Sequence, residues 1–109
     1  MKIGISTFVN DDSIDPLSLA RAIEERGFDS LVVAEHTHIP ASRETPYPLG
    51  GELPPVYYRT LDPFVTLAAA AAVTSRIELF TGIALLIQRD PIITAKEAAS
   101  IDLISAGRF

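Results

Sequence analysis

Asp-Pro occurs three times in this chain, at 15–16, 62–63 and 90–91, each time between a strand-like run and a helix-like one. Asp accepts a hydrogen bond from a first-turn N–H that has no partner inside the helix. Pro loses nothing at the first helical position, because the N–H it lacks would be unpaired there anyway. Three helix starts, each behind a strand, give the order β-α-β-α-β-α. That alternation implies parallel strands joined by right-handed helical crossovers.

The patterning between these starts supports the order. Lys2 to Phe8 (KIGISTF) is rich in β-branched and aromatic residues, as a strand requires. After Asp15-Pro16, Leu19, Ala22 and Ile23 fall on one side of a helix and Arg21, Glu24 and Glu25 on the other. Gly27 suits the left-handed position that ends it. Ser30 to Ala34 (SLVVA) is continuously apolar, which fits a strand covered on both faces. After Asp62-Pro63 the run FVTLAAAAAV carries five consecutive alanines, which favour helix and allow close packing on a sheet. Ile77 to Leu85 reads as a third strand. The spacing predicts strands near 2–8, 30–34 and 77–83, and helices near 16–26, 63–74 and 91–104. Sequential strands with every helix on one face of a curved sheet open a (β/α)8 barrel. Helices on alternate faces mean a doubly wound sheet instead.

A complete barrel of this kind typically needs ~250 residues, and the chain has 109. The expectation is therefore an α/β fold made of the first three β-α units of a barrel, one partial domain spanning 1–109 that stops before a fourth strand. Such a piece leaves the inner face of the strands carrying Ile3, Ile5, Leu79 and Thr81 with nothing opposite it, and leaves two open sheet edges.

Composition narrows the partners. Hydrophobic residues make up 48% of the chain, enough for a core. The net charge is −5 with Lys and Arg scattered, so neither a nucleic acid nor an anionic membrane surface is an expected partner. No apolar run reaches the ~18 residues of a membrane-spanning helix. Cysteine is absent, which removes disulfides and thiolate metal sites and fits a cytoplasmic protein.

One segment breaks the regular rhythm. Residues 35–61 follow the second strand and hold both His, all three Tyr and five of the eight Pro. Loops in such units usually have about 2–6 residues, and much longer ones are commonly functional. Glu35-His36-Thr37-His38 stands where that strand ends, the edge of a parallel sheet that carries reactive groups. A His there can exchange protons near neutral pH, and an adjacent carboxylate can orient a ring. The same residues could instead satisfy loop carbonyls. Gly82, inside the apolar run Phe80 to Ala84, marks a bulge, a helix contact or a close ligand approach. Gln88-Arg89-Asp90-Pro91 puts a cation beside a helix N-terminus, which is either an anion site or a solvated turn. No G-x-G-x-x-G, P-loop or G-x-S-x-G follows a strand.

Taken in order, these pieces resemble the luciferase-like monooxygenase superfamily, and within it the branch that uses the deazaflavin coenzyme F420. The resemblance rests on KIGIS, G-F-D-S (Gly27 to Ser30), E-H-T-H-I-P (Glu35 to Pro40) and R-T-L-D-P-F (Arg59 to Phe64). It continues through A-A-A-A-V-T-S-R-I (Ala69 to Ile77), T-G-I (Thr81 to Ile83), R-D-P (Arg89 to Pro91) and S-A-G-R-F (Ser105 to Phe109). Ala106 departs from it, since the family commonly has Gly there. The resemblance implies that His36 and Glu35 are the catalytic candidates. Glu35, His36, Thr81, Gly82 and Ile83 would line the cofactor, with a cis peptide at Gly82-Ile83 against the back of its ring. His36 is expected to point into the mouth of the sheet near Gly82. The implied activity is hydride transfer between coenzyme F420 (8-hydroxy-5-deazaflavin) and a small organic substrate, in a protein that could form a homo-oligomer, with FMN as the alternative cofactor. Two other classes stand beside it: a metal-dependent barrel hydrolase using His36 and His38, and a non-catalytic fragment.

Overall fold

The computed structural model describes residues 1–109. It contains a three-stranded parallel sheet in the order β1-β2-β3, with β1 at Gly4–Thr7, β2 at Ser30–Val33 and β3 at Glu78–Thr81. Three helices connect or follow them: α1 at Pro16–Glu25, α3 at Pro63–Val73 and α4 at Pro91–Ser105. The four-residue helix α2, Val56–Arg59, and a 3-10 turn at Leu86–Gln88 were not anticipated from the sequence. No helix is long and apolar enough to cross a membrane.

All three Asp-Pro pairs cap helices. The Asp15 carboxylate accepts from the N–H of Leu17 and Ser18, Asp62 from that of Val65, and Asp90 from those of Ile92 and Ile93. Gly27, at φ 81°, turns the chain out of α1.

Register fixes which side chains share a face. Ile5, Leu31 and Leu79 form one row, and Thr7, Val33 and Thr81 the next. Leu31, Val33 and Leu79 are buried in one cluster with Ala20 and Ile23 of α1, Leu67, Ala70 and Ala71 of α3, and Ile101 of α4. α3 packs between α1 and α4. The helices thus lie side by side over one face of the sheet, as a barrel wall requires. The opposite face carries the row Ser6, Val32 and Phe80. So Ile5, Leu79 and Thr81 belong to the helix side, and the uncovered inner face displays Val32 and a 44%-exposed Phe80.

The edge of β3 is not bare: the Leu79 N–H donates to the Arg108 carbonyl at 2.8 Å. The expected open edge is therefore already paired at one position, because the chain after α4 returns alongside β3. The Arg108 guanidinium also donates to the carbonyls of Ala71, Thr74, Ile77 and Ser105 and to Thr74 Oγ1. At the same end of the sheet, Glu24 accepts from the N–H groups of Ser75, Arg76 and Ile77. Burial pushes its carboxyl up, but these bonds outweigh it and hold it below its ordinary range.

α4 ends on Ala106 in the left-handed conformation, φ 57° and ψ 47°. The Cβ of an L-residue crowds the following carbonyl there, which costs roughly 1–2 kcal/mol. Ala106→Gly removes that strain and gives back part of it as unfolded-state entropy. The expected net gain is about 0.5–1 kcal/mol, read as a higher urea midpoint with an unchanged slope.

Candidate functional site

The C-terminal ends of the three strands converge on one mouth. β1 runs into Phe8 and Val9, β2 into Ala34, Glu35 and His36, and β3 into Gly82 and Ile83. The last rung is the Gly82 N–H donating to the Val33 carbonyl at 2.7 Å. A Cβ at Gly82 would lie 2.9 Å from Val32 Cγ1, closer than real contacts allow. A side chain at this point would have to push Val32 aside, so the glycine leaves the inner face there smooth and apolar. Ile83, just beyond it, is 53% exposed. Thr81 stands in the row of buried Val33 and is half-buried.

Glu35 is 1% exposed and its oxygens are fully engaged. Oε1 accepts from Arg89 Nε at 2.7 Å and from Thr37 Oγ1 at 3.1 Å, and Oε2 accepts from the Leu85 N–H at 2.6 Å. Burial pushes the carboxyl up, yet these donors prevail and hold it below its usual value of 4.5. Arg89 is the hub. It also pairs with Asp62 at 2.5 Å and Glu97 at 3.2 Å, and its guanidinium lies 4.6 Å from the ring centre of Phe64. Burial lowers its pKa, but Glu35 and Asp62 overcome that and raise it. The network joins the end of β2, the N-terminus of α3, the β3–α4 connection and the face of α4.

His36 lies on the other side of Glu35 in an aromatic group. Its ring centroid is 6.1 Å from Phe8, stacked, and 4.9 Å from Tyr57, edge-on. Phe8 and Tyr57 meet at 5.2 Å, and Tyr47 adds a fourth ring at 5.8 Å from Tyr57. A polar pocket of about 110 Å³ lies beside it, lined by Glu35, His36, Thr37, Thr60, Asp62 and Pro63.

Some expectations need correction. Every peptide bond is trans, so the cis bond expected at Gly82-Ile83 is absent. The Gly82 N–H stays in the ladder, and the missing Cβ alone clears the inner face. The His36 ring packs on Phe8, just after β1, and on Tyr57 of the long segment, which supply its apolar surroundings. His38 is exposed, and no group of three or more His, Asp or Glu side chains is placed to hold a metal ion. The arrangement thus gathers no ligand set around His36 and His38. Arg89 is not in a solvated turn. The sequence signal for it was the cation next to the Asp90 cap, but three carboxylates enclose it, Glu35 and Asp62 from distant parts of the chain and Glu97 from α4. Phe8 and Tyr57 gave no individual signal.

Comparison with known proteins follows the same lines. The model of the luciferase-like monooxygenase family matches residues 12–109. An uncharacterised protein of Mycobacterium tuberculosis is 48% identical over 111 residues, covering 99% of this chain and 39% of that protein. The chain therefore spans well under half the length of this relative. Among solved structures, the monooxygenase RslO1 of Streptomyces bottropensis superposes with a TM-score of 0.73 at 31% identity, over 99% of this chain and 31% of that one. The coenzyme F420-dependent tetrahydromethanopterin reductase of Methanopyrus kandleri superposes with a TM-score of 0.67 at 28% identity, over 98% of this chain and 25% of that one. In fold, the three β-α units are those of the barrel in these proteins, and the chain belongs to the luciferase-like monooxygenase family.

Proposed function

We propose that this chain forms one wall of the active site of a deazaflavin-dependent oxidoreductase acting on a small organic substrate. The observation that carries the reading is the floor at the strand ends: Gly82 without room for a Cβ, flanked by Val32 and by exposed Phe80 and Ile83. A flat ring needs a surface of that kind, so these residues fit coenzyme F420. When bound, that cofactor supplies hydride transfer with a substrate carbon. Gly82 and Ile83 would line it together with Glu35 and His36, while Thr81, in the row that faces the helices, would support that floor from behind. The protein's contribution is then position and charge. His36 holds or moves a proton at its imidazole, which Phe8 and Tyr57 keep in one orientation. Glu35 is committed to Arg89, Leu85 and Thr37, and so acts by fixing the end of β2 beside the β3–α4 connection. The cytoplasm is the compartment this reading implies. FMN is the second reading, favoured by the likeness to a riboflavin lyase solved with modified FMN (TM-score 0.63, 26% identity).

A chimaera tests it. Residues 1–109 are joined to the remaining strands of the Mycobacterium relative and titrated with coenzyme F420 and with FMN by fluorescence. The expected result is deazaflavin binding in the micromolar range (~8 kcal/mol), with FMN weaker. Gly82→Ala is expected to reduce binding at least about tenfold through the overpacked floor. A folded chimaera that binds neither cofactor would sink the proposal.

A further inference from the structure

The segment after His38 has little of its own to hold it. α2 has four residues, none buried, and no side-chain cap. Between His38 and Arg59, the only side-chain hydrogen bonds that reach the rest of the protein are those of Arg59. The Arg43 bond to Tyr58 and the Thr60 bond to Val56 stay inside the segment or at its end.

Arg59 forks across two neighbouring carboxylates in the connection after β1. Its Nε lies 2.6 Å from Asp11 Oδ1, and its Nη2 lies 2.8 Å from both Asp11 Oδ2 and Asp12 Oδ1, with Nη1 on the remaining Asp12 oxygen. The fork is a planar guanidinium gripping two acceptors, a geometry that a lysine cannot copy. Next to it the backbone closes the same seam. The Leu61 N–H donates to the Val9 carbonyl at 2.8 Å, and Asn10 pairs with Thr60 in an isolated antiparallel bridge. Two residues before Arg59, Tyr57 sets its ring edge on His36 and against Phe8.

We infer that Arg59 is a positioning residue: its grip on Asp11 and Asp12 clasps the long segment shut and holds Tyr57 against His36. Opening the clasp uncovers the imidazole. This deepens the proposal that His36 handles a proton in the site, but the clasp itself is a property of the chain alone. The pairs are exposed, so they are screened by salt. The cover over His36 is therefore salt-sensitive while the buried core is not.

The chain carries its own internal control, since it has only two histidines and His38 is exposed. Diethyl pyrocarbonate, which acylates accessible imidazole, is applied to residues 1–109 and the two sites are followed separately by peptide mass analysis and by their imidazole proton signals. In low salt His36 is expected to react more slowly than His38. Arg59→Gln, and separately Asp11→Asn with Asp12→Asn, raise the His36 rate by roughly two- to tenfold, the weight of two exposed ion pairs. They leave the His38 rate alone. On the unsubstituted chain, 1 M NaCl, where the screening length is ~3 Å, produces the same rise, and it has no further effect on Arg59→Gln. Arg59→Lys recovers only part of the protection. A His36 rate that neither salt nor either set of substitutions changes would overturn the clasp. Cofactor binding plays no part in this readout, so the clasp and the deazaflavin proposal fail or survive separately.

Discussion

Replacing Arg89 with methionine is expected to cost about 3–5 kcal/mol, because it strands the Glu35 carboxylate in the interior. Glu35 is 1% exposed, the Arg89 side chain is 13% exposed, and its other two partners are carboxylates as well. Methionine matches the length of the stem and keeps contact with Phe64, so the loss comes from charge and hydrogen bonds rather than from a cavity. A domain with a total stability of ~5–15 kcal/mol spends much of it on such a change. Glu35→Gln in the same chain removes the stranded charge and still accepts the Leu85 N–H. The double variant is expected to recover at least about 1 kcal/mol relative to the sum of the two single losses. Urea unfolding of the four proteins measures this, and strictly additive losses would show that the pair is not coupled. The pH dependence follows from the same network. The folded Glu35 carboxyl titrates below its usual 4.5, so folding binds fewer protons here than unfolding does. The contribution is complete above that usual value and is lost as pH falls through the lower folded value. Chain stability is expected to fall more steeply on acidification in the parent than in the double variant.

The second large effect concerns the 109-residue chain by itself. Its sheet has one covered face, and Phe80 and Ile83 stand open on the side where a cofactor ring is proposed to lie. The helix layer is also uncovered outside. Val65 of α3 and Ile93 and Ile104 of α4 border an apolar groove of about 280 Å³, and each is more than half exposed. Surface of this kind recruits partners once it exceeds a few hundred Å². Residues 1–109 alone are therefore expected to sediment as associated species rather than as a monomer. Lacking walls on the far side of the mouth, they are expected to bind coenzyme F420 and FMN at least about a hundredfold more weakly than the chimaera does, a loss of ~3 kcal/mol. Sedimentation velocity and fluorescence titration decide both points. A monomer with micromolar affinity would show that the three units form the whole binding surface.

Much of this architecture was legible because it rests on local chemistry. An Asp-Pro pair caps its own helix, and a continuous apolar run such as SLVVA marks a strand, although here only its Leu31 and Val33 side is covered and Val32 stands on the open face. Both signals lie within a few residues, and every strand and helix so read begins and ends within two residues of its expected bounds. The site was legible only in outline. Glu35 and His36 were singled out by their place at the end of β2. What they do depends on Arg89, 54 residues after Glu35, and on Phe8 and Tyr57, on two separate connections. No periodicity links such positions. Arg89 looked like a turn residue because its immediate neighbours are those of a turn. α2 escaped notice because four residues make barely one turn and bury nothing.

The Arg108 guanidinium sets an order of assembly. It closes the carbonyl end of α3 by reaching back 34 residues to Thr74 and 37 to Ala71, while its own carbonyl takes the Leu79 N–H of β3. Until that arginine is available, those α3 carbonyls and the Leu79 amide must rely on water. On a chain made from its N-terminus, α3 and β3 leave the ribosome well before the group that finishes them. The first two units can settle early, through Glu24 and the α1–α3 contact, but the third locks only after α4 has been made. Synthesis that pauses between Val73 and Arg108 therefore leaves a helix with a frayed end beside an unfinished strand. Over that interval the third unit keeps an open strand edge.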